Sequence, residues 1–416
     1  MTPGWREMFA VFARIGLLSF GGPAAQIAVM HRELVERRPL LSEKQYLNAL
    51  SFCMLLPGPE AMQLATYAGW RLRGVPGGLL AGLLFVMPGA LVMFGLVLAY
   101  ALWGSIPLIE TLFLGIKAAV VLVVINALIK LARKSLATPD RWVIAGLSFL
   151  AIYFFAVPFP AIIAIAAVYG ALTIRTAEAE TAPVIAKDTT LRTVAIWASL
   201  WWLPVGIAWL SGAQRLTEIG LFFSKLAVVT FGGAYAVLAY MTQQMVSDYG
   251  WITTAQMMDG LGLAETTPGP LILVTQFVGF LAGYGAAGIW AGFLAGLMAL
   301  WVTFVPCFLW IFVGAPYIEW ISARPRLAGA MSAITAAVVG VILNLSIWFS
   351  LHVFFDEVTQ MDAGVLNFAA PVLSSYNIMA IGLALFCAIL LLGLRLNLAL
   401  ILIISATASW ALSFLT

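Results

Sequence analysis

Four short stretches of this sequence have the residue types of an anion cradle. Leu56-Pro57-Gly58-Pro59-Glu60 and Thr267-Pro268-Gly269-Pro270-Leu271 interrupt two apolar runs, and Phe20-Gly21-Gly22-Pro23 and Phe231-Gly232-Gly233-Ala234 interrupt two more. Where proline follows glycine, as at Gly22-Pro23 and Gly58-Pro59, a new helix starts with proline at its first position, and the glycine lets a ligand approach the backbone. The next free N–H groups point into the break. Each helix start carries roughly +0.5 of an elementary charge, so four of them, near Gly22, Pro59, Gly233 and Pro270, present about +2, which suits a dianion.

Charged side chains lie at related positions. Arg14 stands seven residues before Gly21 and Lys225 seven before Gly232. That is two helical turns and therefore one face, with side chains long enough to cover part of the ~10 Å between. The other reading of this pair is snorkelling to the interface. Glu60 follows the first Pro-Gly-Pro directly, and Glu265 precedes the second by three residues. Each is either a helix N-cap partner, a salt-bridge partner of Arg14 or Lys225, or a protonatable carboxylate that couples anion movement to H⁺. Lys117 interrupts an apolar run and either lines the pathway or pairs with Glu110. Cys53, Cys307 and Cys387 are isolated in apolar segments and read as buried structural thiols, while His31 and His352 are expected beyond helix ends. No Cys/His spacing suits a metal or haem, so no cofactor is expected.

The elements that must carry these residues are membrane helices. Of 416 residues, 63% are hydrophobic and only 9% charged, with a mean hydropathy of +1.04, far from the roughly one-quarter charged composition of soluble proteins. The apolar runs exceed the roughly 20 residues a spanning helix needs and lack the period-2 alternation of a barrel. A net charge of +3 is too small to suggest nucleic-acid binding. The first residues lack a clean apolar core and a small-residue cleavage site, and Arg14 interrupts them, so no signal peptide is expected.

The chain also repeats itself. The two Phe-Gly-Gly breaks are 231 − 20 = 211 residues apart, and the two Pro-Gly-Pro breaks are 268 − 57 = 211 apart, so the intervening sequence matches without a gap. Later, KAAVVLVVIN (117–126) resembles TAAVVGVILN (335–344), pairing Asn126 with Asn344 at 344 − 126 = 218. The polar stretch 175–193 reads as a cytoplasmic linker, and a tryptophan-rich extra span near 194–213 reverses the orientation of the second half. Positive residues agree with that reversal. Arg32, Arg37, Arg38, Lys44, Arg71 and Arg73 flank the first-half breaks, whereas the equivalent loop 242–260 has no Lys or Arg.

The expected fold is an all-α polytopic membrane protein. It has two homologous inverted-topology repeats (1–174 and 214–416), whose broken, re-entrant helices meet near the membrane midplane. Full spans are expected near 77–103, 107–133, 141–156, 159–174, 194–212, 286–312, 328–350, 374–392 and 396–415. The N-terminus then lies in the cytoplasm and the C-terminus outside.

Phe-Gly-Gly-Pro after a basic residue, followed by LLPGPEAMQLATYAGWRLRG, resembles the signature of the chromate ion transporter family, in its two-domain long-chain form. That resemblance implies a secondary transporter in the cell (inner) membrane that exports chromate, a tetrahedral divalent oxyanion with sulfate as its analogue, and confers chromate resistance. It assigns substrate contact to Arg14, Phe20, Gly21, Gly22, Pro23, Gly58, Pro59, Glu60 and Gln63, and to Lys225, Phe231, Gly232, Gly233, Gly269 and Pro270. Two positions depart: Ala234 replaces the proline of Phe-Gly-Gly-Pro, and Leu271 stands where the first half has Glu60. Partners are the oxyanion and the lipid bilayer, with no nucleic acid, and a homodimer is compatible with the sequence. Uptake or exchange of sulfate on the same scaffold, a passive anion channel and a membrane-embedded transferase are the competing readings. No nucleotide-binding loop is present, so potential or proton gradient would drive transport.

Overall fold

A computed structural model of the chain describes residues 3–20, 22–104, 106–173, 187–231, 234–318, 324–364, 366–394 and 396–414. The first half contains α1 (Trp5–Leu18), α2 (Gly22–His31), α3 (Glu43–Cys53), α4 (Glu60–Trp103), α5 (Pro107–Ser135), α6 (Pro139–Phe155) and α7 (Phe159–Thr173). Next come α8 (Lys187–Leu210), α9 (Gln214–Val229), α10 (Ala234–Thr242), α11 (Thr254–Thr266) and α12 (Val274–Gly314). The chain closes with α13 (Pro325–Phe354), α14 (Ile378–Ala388) and α15 (Leu398–Leu412).

Segments within α4, α5, α8, α12 and α13 are long and apolar enough to cross a membrane, and α7, α14 and α15 are shorter apolar helices. Large apolar side chains point outward from them, including Leu91 (64% exposed), Leu172 (74%) and Trp290 (81%), a surface suited to lipid. This is the architecture of an all-α polytopic membrane protein. One element was not legible in the sequence. Between α13 and α14, β1 (Val358–Ala363) pairs antiparallel with β2 (Leu366–Pro371), and Gly364 at φ 71° supplies the positive φ that a two-residue hairpin turn needs. A second correction concerns the histidines. His31 and His352 sit in the last turns of α2 and α13 rather than beyond them, and His352 Nδ1 meets the Trp348 carbonyl at 2.8 Å.

Local features recur in the two halves, the helix bends 288 − 74 = 214 residues apart and the capping boxes and π-helical turns at the offset of 211 read from the sequence. α4 bends at Arg73 (φ −145°) and Gly74 (φ 63°), and α12 bends at Ala287 (φ −152°) and Gly288 (φ 78°). Glycine takes the positive φ at both bends at little cost. Ser42 and Gln45 form a capping box at the start of α3, and 211 residues later Thr253 and Gln256 exchange the same two hydrogen bonds, at 2.8 and 3.1 Å. A π-helical turn follows α2 at Arg32–Glu36, and another follows α10 at Gln243–Asp248.

The chain divides into two compact units, each drawing on both halves. The first comprises Met1–Leu98, Thr176–Ala234 and Thr267–Ala328. In it α12 packs against α8 and α9. Trp197 stacks on Phe308 with ring centres 5.6 Å apart, and Trp201 Nε1 donates to Ser224 Oγ at 3.1 Å. The second unit comprises Ala99–Arg175, Tyr235–Thr266 and Gly329–Thr416. Here α5 lies against α11, α14 and α15, and Ser409 Oγ donates to the Thr111 carbonyl at 2.7 Å.

Helix contacts in lipid rely on small residues that let backbones approach. In the first unit a Cβ on Gly69 would run into the Gly77 carbonyl, and one on Gly283 would stand 2.5 Å from the Ala291 carbonyl oxygen. Gly69→Ala should therefore destabilise the protein by roughly 1–3 kcal/mol through overpacking. The melting temperature of the detergent-solubilised protein reads this directly, and an unchanged value would remove the contact from the packing argument.

Candidate functional site

The four interruptions are built as two matched pairs. α1 stops at Leu18, where the Ser19 hydroxyl turns back to the Ile15 carbonyl at 2.6 Å. Its counterpart α9 stops at Val229, where the Thr230 hydroxyl donates to the Leu226 carbonyl at 2.6 Å. Each hydroxyl satisfies an acceptor that the broken helix leaves without its amide partner. The Pro-Gly-Pro turns form the other pair, with Gly58 at φ 116° and Gly269 at φ 90°. After Pro59 the chain enters α4 directly at Glu60, whereas after Pro270 it first makes a 3₁₀ turn over Leu271–Leu273.

The pairs cap one another across the two halves. The Gly58 N–H donates to the Thr230 carbonyl at 2.8 Å, and the Gly269 N–H donates to the Ser19 carbonyl at 2.8 Å. Since 269 − 58 and 230 − 19 both equal 211, this is one interaction made twice. Packing follows the same rule. A Cβ on Gly58 would meet Gln63 Nε2 at 2.8 Å and Cys307 Sγ at 2.9 Å, while Gly269 lies against Gly89, whose own Cβ would strike the Pro268 carbonyl. Cys307 and Gly89 are again matched positions, at 307 − 89 = 218.

Two glutamines complete the framework. Gln26 Nε2 donates to the Gly269 carbonyl at 2.7 Å, and Gln63 Nε2 to the Pro57 carbonyl at 2.7 Å. Both side chains are buried. The breaks close around a cavity of about 20 Å³ lined among others by Pro23, Gln26, Pro59, Glu60, Thr230 and Pro270, which is room for about one water. All of these residues belong to the first unit. The first residues of α4 and α10, Glu60 and Ala234, line this space, and the Glu60 carboxylate lies in the first turn of α4, where the helix field favours negative charge.

Pro23, Pro59, Glu60 and Pro270 are thus brought to one cavity, with Gly58 and Gly269 forming the turns behind it. Gln63 braces the first turn. Arg14 and Lys225 are not among the cavity's lining residues: Lys225 is exposed, and Arg14 stands half-exposed beside Glu33, its Nε 3.6 Å from the carboxylate. Phe20 is exposed and Phe231 half-buried. Gly21, Gly232 and Gly233 lie outside the described residues.

The coupling candidates of the second unit have partners the sequence did not reveal. Glu265 accepts from the Tyr235 hydroxyl at 2.5 Å. Lys117 pairs with Asp259 rather than Glu110, Nζ to Oδ1 at 3.1 Å, and the other Asp259 oxygen accepts from Tyr100 at 2.8 Å. Gln26, Glu33 and Asp259 were missed by sequence reasoning, as were the hydroxyls of Ser19, Thr230, Tyr100 and Tyr235. Only Glu33 carried a local signal, the i,i+4 spacing to Arg37.

Comparison with known proteins places these features in context. A family model described as "Chromate transporter" matches residues 6–171 and 217–410. A chromate transport protein of Pseudomonas aeruginosa is 31% identical over 88% of this chain and 85% of its own length. A probable chromate transport protein of Synechococcus elongatus is 30% identical over 81% of this chain and 82% of its own. An uncharacterised transporter of Bacillus subtilis is 32% identical over 40% of this chain and 96% of its own length. No solved structure matches the chain.

Gln26 gives the framework a direct test. Gln26→Leu leaves the Gly269 carbonyl without its side-chain donor and should cost about 1–3 kcal/mol. A melting temperature equal to wild type would show that the turn does not depend on this clamp.

Proposed function

The chain belongs to the chromate transporter family, and from that membership we propose that it is a secondary transporter carrying chromate, a tetrahedral divalent oxyanion, out of the cytoplasm. The observation that carries this reading is the convergence of the helix interruptions on one cavity. A broken helix in hydrocarbon leaves amides and carbonyls unpaired at several kcal/mol each unless protein or a hydrated cavity satisfies them. Here the carbonyls are capped across the two halves, while the first residues of α4 and α10 line the cavity. Helix starts of roughly +0.5 each, at Glu60 and Ala234, favour negative charge in this space.

The fold proposed with it has two inverted repeats, 1–174 and 214–416, separated by a cytoplasmic linker over 175–193 and one extra span over 194–213. α1–α2 and α3 with the first limb of α4 form re-entrant hairpins, as do α9–α10 and α11 with the first limb of α12. Support comes from the matched bends, capping boxes and hydroxyl-capped ends. The half-length relative agrees with a unit of that size. Arg32, Arg37, Arg38, Lys44, Arg71 and Arg73 put the first-half loops in the cytoplasm. With an odd number of full spans the carboxyl end lies outside the cell membrane.

A cavity of about 20 Å³ cannot hold a four-oxygen anion, so the arrangement described is closed on its substrate. Loading requires the paired turns to separate, and the bonds from Gly58 to Thr230 and from Gly269 to Ser19 are the ones that must loosen. Arg14, Phe20, Gly22, Gln63, Lys225 and Phe231, together with Gly21, Gly232 and Gly233, would reach the anion only in such an opened form. Glu60 is the first coupling group: its negative charge competes with the anion for the same helix start, so protonating it favours loading. Glu265 and the Lys117–Asp259 pair are further candidates, as ionisable groups within helices. Potential alone supplies the drive, since two charges leaving a cytoplasm 100 mV negative gain about 2 × 2.3 = 4.6 kcal/mol. Resistance to chromate follows from export.

Everted membrane vesicles given radiolabelled chromate should accumulate it when an interior-positive potential is imposed. A flat trace under that potential, beside vesicles shown to contain the protein, would end the export reading. Glu60→Gln should keep chromate flux but lose its dependence on the proton gradient, measured as proton uptake per chromate in proteoliposomes; an unchanged ratio would release Glu60 from coupling.

A further inference from the structure

Building on the reading of this chain as a divalent-oxyanion carrier, we propose that Arg14, Arg37 and Arg38, gathered by the buried carboxylate of Glu33, form a capture site that takes the oxyanion from solution before it enters the cavity. Arg37 Nη1 lies 2.7 Å from Glu33 Oε1, Arg38 Nη1 lies 2.7 Å from Oε2, and Arg14 Nε approaches Oε1 at 3.6 Å. The Glu33 side chain is 0% exposed, while the three arginines are 50, 36 and 50% exposed for Arg14, Arg38 and Arg37. All four residues belong to the first unit.

The charge count separates a capture site from a structural ion pair. One carboxylate set against three guanidinium groups leaves the cluster at +2. Two arginines already occupy both oxygens of Glu33, so the third exceeds what burying that carboxylate requires. Each guanidinium is a planar fork of five N–H donors, and Arg37 and Arg38 each give Glu33 one nitrogen, Nη1. Each keeps further donors on a side chain that is 50 or 36% exposed, a chemistry suited to the oxygen edges of a tetrahedral dianion. Glu36 and Glu43 share the imidazole of His31, at 3.0 and 2.8 Å, so one positive charge at most offsets their two, and the exposed Arg32 next in the chain supplies a second. The position is also right for delivery: Arg14 is five residues, about 7.5 Å of helix, from the break at Ser19.

The second half shows that the turn itself does not need arginines. At the positions 211 residues on stand Lys225, Gln244, Asp248 and Tyr249 in place of Arg14, Glu33, Arg37 and Arg38. The same π-helical turn forms there, with the Gln244 amide donating to Asp248. That mirrored set carries one cation and one carboxylate and has no net attraction for a dianion. Under the inverted arrangement the two sets serve opposite sides of the membrane, so capture favours loading from the cytoplasm.

The test uses full-length protein in two assays, chromate flux in proteoliposomes and equilibrium binding of radiolabelled chromate to the purified protein. R37Q/R38Q should raise KM and Kd about tenfold, with kcat within about twofold of wild type. The rise of KM with ionic strength should flatten in that variant. R37K/R38K, which keeps the charge and loses the fork, should fall between. Should R37Q/R38Q fail to insert, R38Q alone is expected to move KM and Kd in the same direction. Wild-type KM, Kd and salt dependence in the neutral variant, or a loss confined to kcat, overturn the capture site. Arginine-dependent binding without flux in the wild type keeps the site and overturns the carrier reading instead.

Discussion

A polar backbone group in a hydrocarbon surround must find a partner, and this requirement organises the first unit of the protein. Each Pro-Gly-Pro turn leaves a glycine amide that its own helix cannot use. The opposite half supplies the acceptor, Thr230 for Gly58 and Ser19 for Gly269, both at 2.8 Å. Those acceptors are exposed only because their own helices stop there, with a hydroxyl folded back on the turn before. One defect therefore satisfies another, and neither break is tolerable without its mate. The glycines follow from the same geometry. Positive φ strains any side chain at both positions, and at Gly58 a Cβ would also strike Cys307.

Much of this was legible in the sequence because it rests on backbone chemistry. Glycine and proline write their conformational effects locally, and the constant offset of 211 residues identifies which breaks correspond. Apolar run length locates α5, α6 and α7 to within a few residues. Partnerships between side chains distant in the chain could not be read. Gln26 lies in the unremarkable run PAAQIAVM, and nothing local says that its amide reaches Gly269. Lys117 stands out as a charge in an apolar helix, but the choice between Glu110 and Asp259 depends on how α5 and α11 pack. Helical spacing places Arg14 near the break, and the direction of its side chain toward Glu33 is a matter of tertiary packing. The hairpin over 358–371 escapes because its strands are short and alternate weakly.

The two halves are alike in backbone and unlike in charge. Pro23 and Glu60 sharpen and load the first pair of helix starts, where the second pair has Ala234 and Leu271. The 3₁₀ turn after Pro270 delays the start of α12 by one turn. Lys117 and Asp259 form a buried ion pair, while the matched positions hold Thr335 and Asn48.

The mutual capping also bears on how the protein is made. Thr230 lies 230 − 58 = 172 residues after Gly58, so at a synthesis rate of roughly 5–20 residues per second the first turn waits about ten to thirty-five seconds for its acceptor. During that interval the nascent chain holds an unpaired amide that water, the insertion machinery or a chaperone must shelter. The Gly58 turn is capped only after the ribosome has delivered Thr230, and Ser19 meets its partner only after Gly269, so the first unit is completed late in synthesis.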